Sequence, residues 1–248
     1  MLSAMDSATP LILTIHSLCS WGDVGLKAMA CCLHNHWVPI PSAILNAPRN
    51  HPMSVSAGCD LSGLFSSVMQ LPETRNRRLI LHIGFLPDVT ALKTLCAQVE
   101  TYRARFESIV VDPVCGDLGR AYQPQPLIQL YPELLEIADI HLPNATELLL
   151  ISGMSSIEVA FEGWIARFPN ARVIVTGVEN GDQIGLQVRD KETRSSIWHE
   201  RAPGHRSGTG DWFSAAFLRE HFIDGKSFQC AARLAAHATA QWITQPSS

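Results

Sequence analysis

Hydrophobic residues along the chain alternate between short continuous runs and longer segments with a helical period. The runs at Leu11–His16, Leu79–Ile83 and Ser108–Val111 are almost wholly apolar or β-branched, which is typical of strands buried on both faces of a parallel sheet. Amphipathic segments such as Val89–Phe106 separate them and predict helices. This order predicts an α/β fold with a mostly parallel central sheet covered by helices on both faces.

The other elements follow the same order as far as residue 176. Further strands are predicted at Val38–Leu45, Asp139–Leu142 and Arg172–Thr176. Further helices are predicted at Lys27–His34, Asp60–Met69, Leu127–Ala138, Thr146–Ser152 and Ile157–Phe168. No change of composition interrupts the series, so residues 11–245 are predicted to form one domain behind a tail at residues 1–10.

The pattern changes near residue 180. Gln183–Val188 and Ser195–Glu200 alternate polar and apolar residues, and turn-forming residues precede each segment. These segments predict an antiparallel β-meander late in the chain. Two alanine-rich segments, Gly210–His221 and Phe228–Thr244, predict the closing helices.

Composition excludes several classes of protein. The 248 residues include 19 Lys and Arg against 23 Asp and Glu, a net charge of −4, which argues against a nucleic-acid partner. No run approaches the roughly 20 apolar residues that span a bilayer, and Met1–Pro10 lacks the basic residues that begin a secretory signal. The seven cysteines have no CxxC spacing. We therefore expect a cytoplasmic protein with reduced thiols and no membrane partner.

The segment with the clearest chemical meaning is Gly208–Asp211, directly before a predicted helix. The two glycines let the amides of Gly208, Thr209 and Gly210 converge on one point, where the helix dipole adds about half a positive charge. Such a point suits a phosphoryl group in transfer, and the carboxylate of Asp211 can accept a proton from a hydroxyl there. The alternative is that Thr209 caps the helix and Asp211 only complements its dipole.

Polar residues also follow three of the predicted strands. Asp112 and Asp117 come after one strand, Asn144 and Glu147 after the next, and the Thr176–Gly177 pair ends a third. Ligand sites of open α/β sheets lie at the carboxyl ends of strands, and paired carboxylates can hold Mg²⁺ or its waters near a phosphate. The alternatives are ordinary turns for the aspartates and the threonine, and a helix capping box for the asparagine and the glutamate.

Taken in order, these segments resemble the pyridoxal kinases, which belong to the ribokinase-like superfamily of ATP-dependent small-molecule kinases. The resemblance covers nearly the whole chain. It rests on the following segments: Ile15-His16-Ser17 with Trp21–Gly25, Ala43–Asn46, Gly84–Leu86, Asp112–Asp117, Asn144–Glu147, Thr176-Gly177 and Gly208–Asp211. The implied reaction is phosphorylation of the hydroxymethyl group of pyridoxal or a related B6 vitamer.

The resemblance also implies a role for each residue. Asp211 is the expected base, and the amides of Gly208, Thr209 and Gly210 form the expected anion hole. The substrate ring is expected to contact Ser17, Asn46 and Tyr122. The expected ATP contacts are Asp112, Asn144, Thr176, Gly177 and Gly208. Mg²⁺ is expected at Asp117 and Glu147, with a monovalent cation as a further ligand and a homodimer as the assembly.

The chain departs from the pyridoxal kinase pattern at several positions. His16 stands where glutamine is common, and Leu142 replaces a threonine that contributes to the cation site. The chain is also shorter than typical members. Hydroxymethylpyrimidine kinases of thiamine synthesis share most of the motifs but carry cysteine at the position of Asp211, and they remain the alternative. An alternative of another class is a catalytically weak regulatory protein that binds a B6 vitamer or a nucleotide.

Overall fold

The computed structural model describes residues 9–49, 51–204 and 206–245, so most of the predicted tail at residues 1–10 lies outside the described residues. The strands are β1 (Leu11–Cys19), β2 (Trp37–Leu45), β3 (Ser56–Gly58), β4 (Leu79–Ile83), β5 (Phe106–Val111), β6 (Gly116–Asp117), β7 (Arg120–Ala121), β8 (Ile140–His141), β9 (Arg172–Asn180), β10 (Gln183–Asp190) and β11 (Thr193–Glu200). The helices are α1 (Leu26–Leu33), α2 (Leu61–Gln70), α3 (Pro72–Arg75), α4 (Val89–Tyr102), α5 (Gln125–Ile128), α6 (Tyr131–Glu136), α7 (Ala145–Ser152), α8 (Ile157–Arg167), α9 (Thr209–Leu218) and α10 (Phe228–Ile243).

Nine strands form one sheet in the order β11-β10-β9-β8-β5-β4-β1-β2-β3. The strands from β9 to β2 run parallel, whereas β3, β10 and β11 pair in antiparallel fashion. β6 and β7 form a separate hairpin. The predicted α/β class, the parallel core of the sheet and the late meander are therefore confirmed.

The chain reverses its direction across the sheet at β1. β2 lies on one side of β1, and β4 lies on the other, with later strands added beyond it. A crevice forms at such a reversal, outside the carboxyl ends of the strands. In this protein β1 and β4 border that crevice, and the last residues of both strands open into it.

Alternate residues of the central strands face two separate cores. Leu11, Leu13 and Ile15 pack with α2 and α4, whereas Ile12 packs on the opposite face with α1, α9 and α10. This alternation follows from the two-residue repeat of a strand. It places His16 on the same face as Ile12, beneath α9.

Several predicted boundaries were wrong. The helix predicted at Leu127–Ala138 is two short helices, because Pro132 at the start of α6 favours a new helix there. The strand predicted to end at Thr176 continues to Asn180 and begins the meander. The edge strand β3 and the β6–β7 hairpin were not predicted, since two or three residues carry no periodic signal.

The helices of the described residues are short or only partly apolar. No single helix there is both long and apolar enough to cross a bilayer. The segments Ala145–Ser152 and Ile157–Arg167 meet the length and composition criteria only when joined, and they are bent by 65° relative to each other.

Candidate active site

A cavity of about 770 Å³ lies at the carboxyl ends of the parallel strands. Almost all of the residues predicted for the site line this one cavity. They are Ser17, Asp112, Asp117, Tyr122, Asn144, Glu147, Thr176, Gly177, Gly208, Thr209, Gly210 and Asp211. Segments separated by almost the whole chain therefore meet in one place.

Asn46 is the predicted site residue that does not line this cavity. Its side chain is exposed, and both ends of its amide bind a neighbouring loop. Oδ1 accepts a hydrogen bond from the amide of Val55 at 2.6 Å, and Nδ2 donates to the carbonyl of Met53 at 3.0 Å. In this structure Asn46 orders the loop beside β3 rather than facing the crevice.

The start of α9 provides the predicted cluster of amides. Gly208 is the N-cap residue with φ of 88°, a left-handed conformation that favours glycine. A Cβ at this position would lie 2.4 Å from the carbonyl oxygen of Asp23. The side chain of Thr209 donates to the carbonyl of Arg206 at 2.9 Å, so it does not cap the helix. In the described part of the chain, no acceptor takes the amide hydrogens of Thr209 or Gly210.

Asp211 is held from two sides in the first turn of α9. Its Oδ2 accepts the amide of Gly25 at 2.5 Å, and Nε2 of His16 lies 3.1 Å from Oδ1. Burial favours the neutral acid, but the charge and donor of His16 and the amide of Gly25 outweigh it and lower the pKa of Asp211. The carboxyl group therefore stays ionised, as a proton acceptor must.

An ion pair braces the turn after β1 against the turn before α9. Arg206 donates to Oδ2 of Asp23 at 2.9 Å and to the carbonyl of Trp242 at 3.1 Å. Its guanidinium lies 4.0 Å from the centre of the Trp242 ring, which in turn stacks on Trp212 at 4.8 Å. Stacking and a fixed hydrogen-bond fork suit arginine. The brace holds the substrate side of the crevice against the amides of α9.

Asp112 lies at the end of β5 and is almost fully buried. Its Oδ2 accepts a hydrogen bond from the hydroxyl of Ser214 at 2.8 Å. Burial and the negative charge of Asp211 raise the pKa of Asp112 to about 7. Asp112 and Asp211 thus line one cavity with pKa shifts of opposite sign. Asp112 needs a positive partner to ionise fully.

We expect the substitution Asp112→Asn to stabilise the folded protein. The folded pKa lies above the ordinary value, so ionising this group costs stability as the pH rises from about 4 to above 7. Asparagine resembles the neutral acid and keeps an acceptor for Ser214. The thermal midpoint should rise by on the order of 5 °C at pH 8 and by much less below pH 4. An equal gain at both pH values, or the same gain from the exposed Asp182→Asn, would refute this explanation.

Glu147 is buried in the first turn of α7 and forms a capping box with Asn144. Its Oε1 accepts the amide of Cys115 at 3.0 Å, and its Oε2 accepts the amide of Asn144 at 2.8 Å. Burial and the charge of Asp112 raise the pKa of Glu147 well above its ordinary value. Asn144 also donates to the carbonyl of Gly116 at 2.9 Å. Glu147 thus joins α7 to the loop after β5.

The residues around the loop 112–117 suit an Mg²⁺ ion that is bound mainly by phosphate. They suit less well an ion that is enclosed by protein ligands alone. The described residues contain no group of three or more His, Cys, Asp or Glu side chains placed to hold a metal ion. Mg²⁺ commonly keeps several waters and takes its other ligands from phosphates and one or two carboxylates. Asp117 and Glu147 line the cavity and carry carboxyl oxygens, although both oxygens of Glu147 also accept backbone amides. Leu142, in contrast, offers no side-chain oxygen where the resemblance places a monovalent cation.

The structure adds three site residues to those assigned a role from the sequence. They are His16, Gly25 and Arg206, which contact Asp211 or brace the turns around it. Two of them lie within motifs quoted for the resemblance, so the signal was present. Their partners are distant in sequence, with Gly25 and Asp211 separated by 186 positions. Periodicity gives no information about contacts at that separation.

Comparison with known proteins identifies the family to which the chain belongs. The family model described as phosphomethylpyrimidine kinase matches residues 79–247, more than half of the chain. The pyridoxal kinase of Arabidopsis thaliana is 27% identical over 237 residues, covering 87% of this chain and 75% of that protein. The first two curated relatives that match, from Schizosaccharomyces pombe and Saccharomyces cerevisiae, are covered over only 47% of their length, so the chain aligns with about half of each.

Solved structures show the same fold. Pyridoxal kinase from Entamoeba histolytica superposes with a TM-score of 0.84 at 23% identity, covering 97% of this chain and 91% of that one. Pyridoxal kinase from Leishmania donovani in complex with ADP and pyridoxamine superposes with a TM-score of 0.79 at 22% identity, covering 93% and 84%. The resemblance found in the sequence is confirmed: the chain belongs to the phosphomethylpyrimidine kinase family of the ribokinase-like superfamily, to which its pyridoxal kinase relatives also belong.

Proposed function

We propose that this protein transfers the γ-phosphoryl group of ATP to the hydroxymethyl group of pyridoxal or a related B6 vitamer. One observation carries the proposal. The carboxylate of Asp211 and the amides of Thr209 and Gly210 border the same cavity as Ser17 and Tyr122. A proton acceptor, an anion site and a pocket for a ring therefore occur together.

The proposed reaction needs little covalent chemistry from the chain. The hydroxymethyl oxygen attacks the γ-phosphorus, the bond from that phosphorus to the bridging oxygen breaks, and ADP departs. Asp211 takes the proton from the attacking hydroxyl. The amides at the start of α9 stabilise the charge on the transferring group, because alignment and charge neutralisation dominate phosphoryl transfer.

The nucleotide is proposed to lie along the wall formed by the ends of β5, β8 and β9. Asp112, Asn144, Thr176, Gly177 and Gly208 are the proposed contacts, all of which line the cavity. Thr176 lies beside Asn144, and its amide donates to the carbonyl of Pro143 at 3.0 Å. Mg²⁺ bound to the triphosphate at Asp117 and Glu147 would neutralise phosphate charge.

A pyrimidine substrate is the second candidate, since the matching family model is that of phosphomethylpyrimidine kinase. Asp211 favours the pyridoxal substrate, because the sequence resemblance places cysteine at this position in hydroxymethylpyrimidine kinases. The two substrates share a hydroxymethyl group on a nitrogen heterocycle, so the same anion site suits both reactions.

A substrate panel tests the proposal. ADP release should be measured with pyridoxal, pyridoxine, pyridoxamine and hydroxymethylpyrimidine, each with ATP and Mg²⁺. We expect turnover with at least one B6 vitamer at a kcat/KM at least 10-fold above that with the pyrimidine. A reversed order would establish the pyrimidine kinase. Binding without turnover of any compound would support the regulatory protein.

We also propose that the protein forms a homodimer through the edge of the sheet at β2 and β3. Large apolar side chains are exposed in the segments after β1 and between β2 and β3: Trp21 at 67%, Met53 at 72% and Val55 at 66%. Exposed apolar side chains that cluster together mark interaction surfaces. Light scattering after size-exclusion chromatography should give twice the chain mass of 27.2 kDa, whereas a monomer mass would refute the dimer.

A further inference from the structure

His16 occupies a space in β1 that is shaped for an imidazole ring. The side chain is buried, with 1% of its surface exposed. A Cβ at Gly84 would lie 2.0 Å from Cδ2 of this ring, so the residue that follows β4 leaves room for the ring only because it is glycine. The pairing of β1 with β2 is irregular at this point, because Ser42 of β2 is an extra residue opposite the step from His16 to Ser17. Bulges often re-aim side chains beside functional sites.

Hydrogen bonding fixes which nitrogen of His16 carries a proton. Nδ1 accepts the amide hydrogen of Ser17 at 2.9 Å. In a neutral imidazole one nitrogen accepts and the other donates, so the proton is on Nε2. Nε2 lies 3.1 Å from Oδ1 of Asp211. Nε2 has no hydrogen-bond partner of normal geometry among the described residues, so its contact with Asp211 is a close electrostatic one.

Three titratable groups face His16 from the elements packed against it. Asp211 lies on α9, Asp112 at the end of β5 and His82 on β4. Burial and the charge of His16 lower the pKa of His82 to about 3, so this second imidazole is neutral. Burial lowers the pKa of His16 as well, but the two carboxylates outweigh it and the pKa is raised. The charges around His16 therefore favour a donor directed at Asp211.

We propose that His16 is a positioning residue that holds the carboxylate of Asp211 ionised and aimed into the cavity, through the proton on Nε2. This inference rests on the proposed kinase function for its kinetic consequence, but the contact itself can be tested without a substrate. Together with the amide of Gly25, His16 restrains both oxygens of the base. A hydroxyl delivered to the cavity then meets a carboxylate of fixed orientation.

Nuclear magnetic resonance tests the contact in the full-length protein. With ¹⁵N-labelled histidine at pH 8.5, the signals lost in His16→Gln identify His16. We expect a protonated Nε2 and an unprotonated Nδ1, and we expect the pKa of His16 to fall by at least 1 unit in Asp211→Asn. An unchanged His16 titration in that variant, or a proton on Nδ1, would overturn the proposal whether or not the protein is a kinase.

Kinetics with two substitutions test the consequence. His16→Gln keeps a side-chain N–H that can reach Asp211, whereas His16→Leu removes every donor. We expect His16→Leu to lower kcat on the order of 10²-fold with KM for ATP within 3-fold. His16→Gln should keep kcat within about 5-fold of the original protein. The exposed His237→Leu serves as the control and should leave both parameters unchanged.

The pH profile separates positioning from a structural role. Without the donor, the pKa of Asp211 rises, so the acidic limb of kcat/KM should move to higher pH in His16→Leu and stay in place in His16→Gln. Equal losses of kcat in His16→Leu and His16→Gln would overturn the proposal. So would a loss that falls on KM while the acidic limb of the pH profile stays in place. If no substrate of the panel is turned over, the proposed function fails, and the magnetic resonance result alone decides on His16.

Discussion

Asp211→Asn should lower kcat by about 10³-fold while the KM for ATP stays within a few-fold. Asparagine is nearly isosteric with aspartate, and its side-chain oxygen can still accept the amide of Gly25. The amides at the start of α9 are not altered by the substitution. The loss should therefore fall on proton removal from the hydroxyl rather than on nucleotide binding.

Steady-state kinetics with saturating substrate, together with calorimetric titration of an ATP analogue, measure the two quantities separately. Asp182→Asn is the matched control, because Asp182 is exposed in the turn between β9 and β10. This control should leave kcat unchanged. Full turnover by Asp211→Asn would remove Asp211 from the reaction.

A single methyl group added at Gly210 is expected to reduce activity without reducing stability. A Cβ at Gly210 has no atom of the described chain within 4 Å, and it would stand where the first turn of α9 borders the cavity. Alanine in place of glycine within a helix stabilises by up to about 1 kcal/mol. We expect Gly210→Ala to lower kcat/KM on the order of 10²-fold, because the methyl group excludes the transferring phosphoryl group from its amides.

Gly208→Ala provides the contrast. Its positive φ and the approach of the Asp23 carbonyl make any side chain strained there, so this variant should lose both stability and activity. Thermal unfolding and kinetics measured on both variants distinguish the two effects. Normal activity in Gly210→Ala would show that no phosphoryl group approaches this turn.

The elements that the sequence predicted well are those whose environment is uniform. β4 was predicted with its observed bounds, Leu79–Ile83, because every residue in it is buried. β1 was predicted to end at His16 but continues to Cys19. His16 and Ser17 are polar and border the crevice, so the apolar pattern stops there although the strand continues. The predicted and observed ends of β1 therefore differ at the end of the strand that borders the candidate site.

The residues that form the site were predictable from the sequence only where their signals lie close together along the chain. Gly208–Asp211 and Asp112–Asp117 combine conformational and chemical signals within a few residues. The contact between His16 and Asp211 depends on how two distant segments pack. Asn46 shows the opposite error, because its place in a motif said nothing of the loop amide of Val55 and the loop carbonyl of Met53 that bind its side chain.

The buried carboxyl groups carry a cost that fits a catalytic site. The pKa of Asp112 and Glu147 is raised by burial and by their neighbours, and neither is neutralised by a lysine or arginine among the described residues. Such groups weaken the folded state. A ligand that brings positive charge to this wall of the cavity would reduce the repulsion between the carboxyl groups. Such a ligand would explain why these destabilising groups lie at the candidate site.

A crystal structure with a non-hydrolysable ATP analogue, Mg²⁺ and pyridoxal tests the central claim most directly. The account predicts the γ-phosphoryl oxygens within about 3 Å of the amides of Thr209 and Gly210. It also predicts the hydroxymethyl oxygen within hydrogen-bond distance of Asp211 and within about 3.5 Å of the γ-phosphorus. A nucleotide whose phosphates lie away from the start of α9, or a carboxyl group of Asp211 turned out of the crevice, would contradict it.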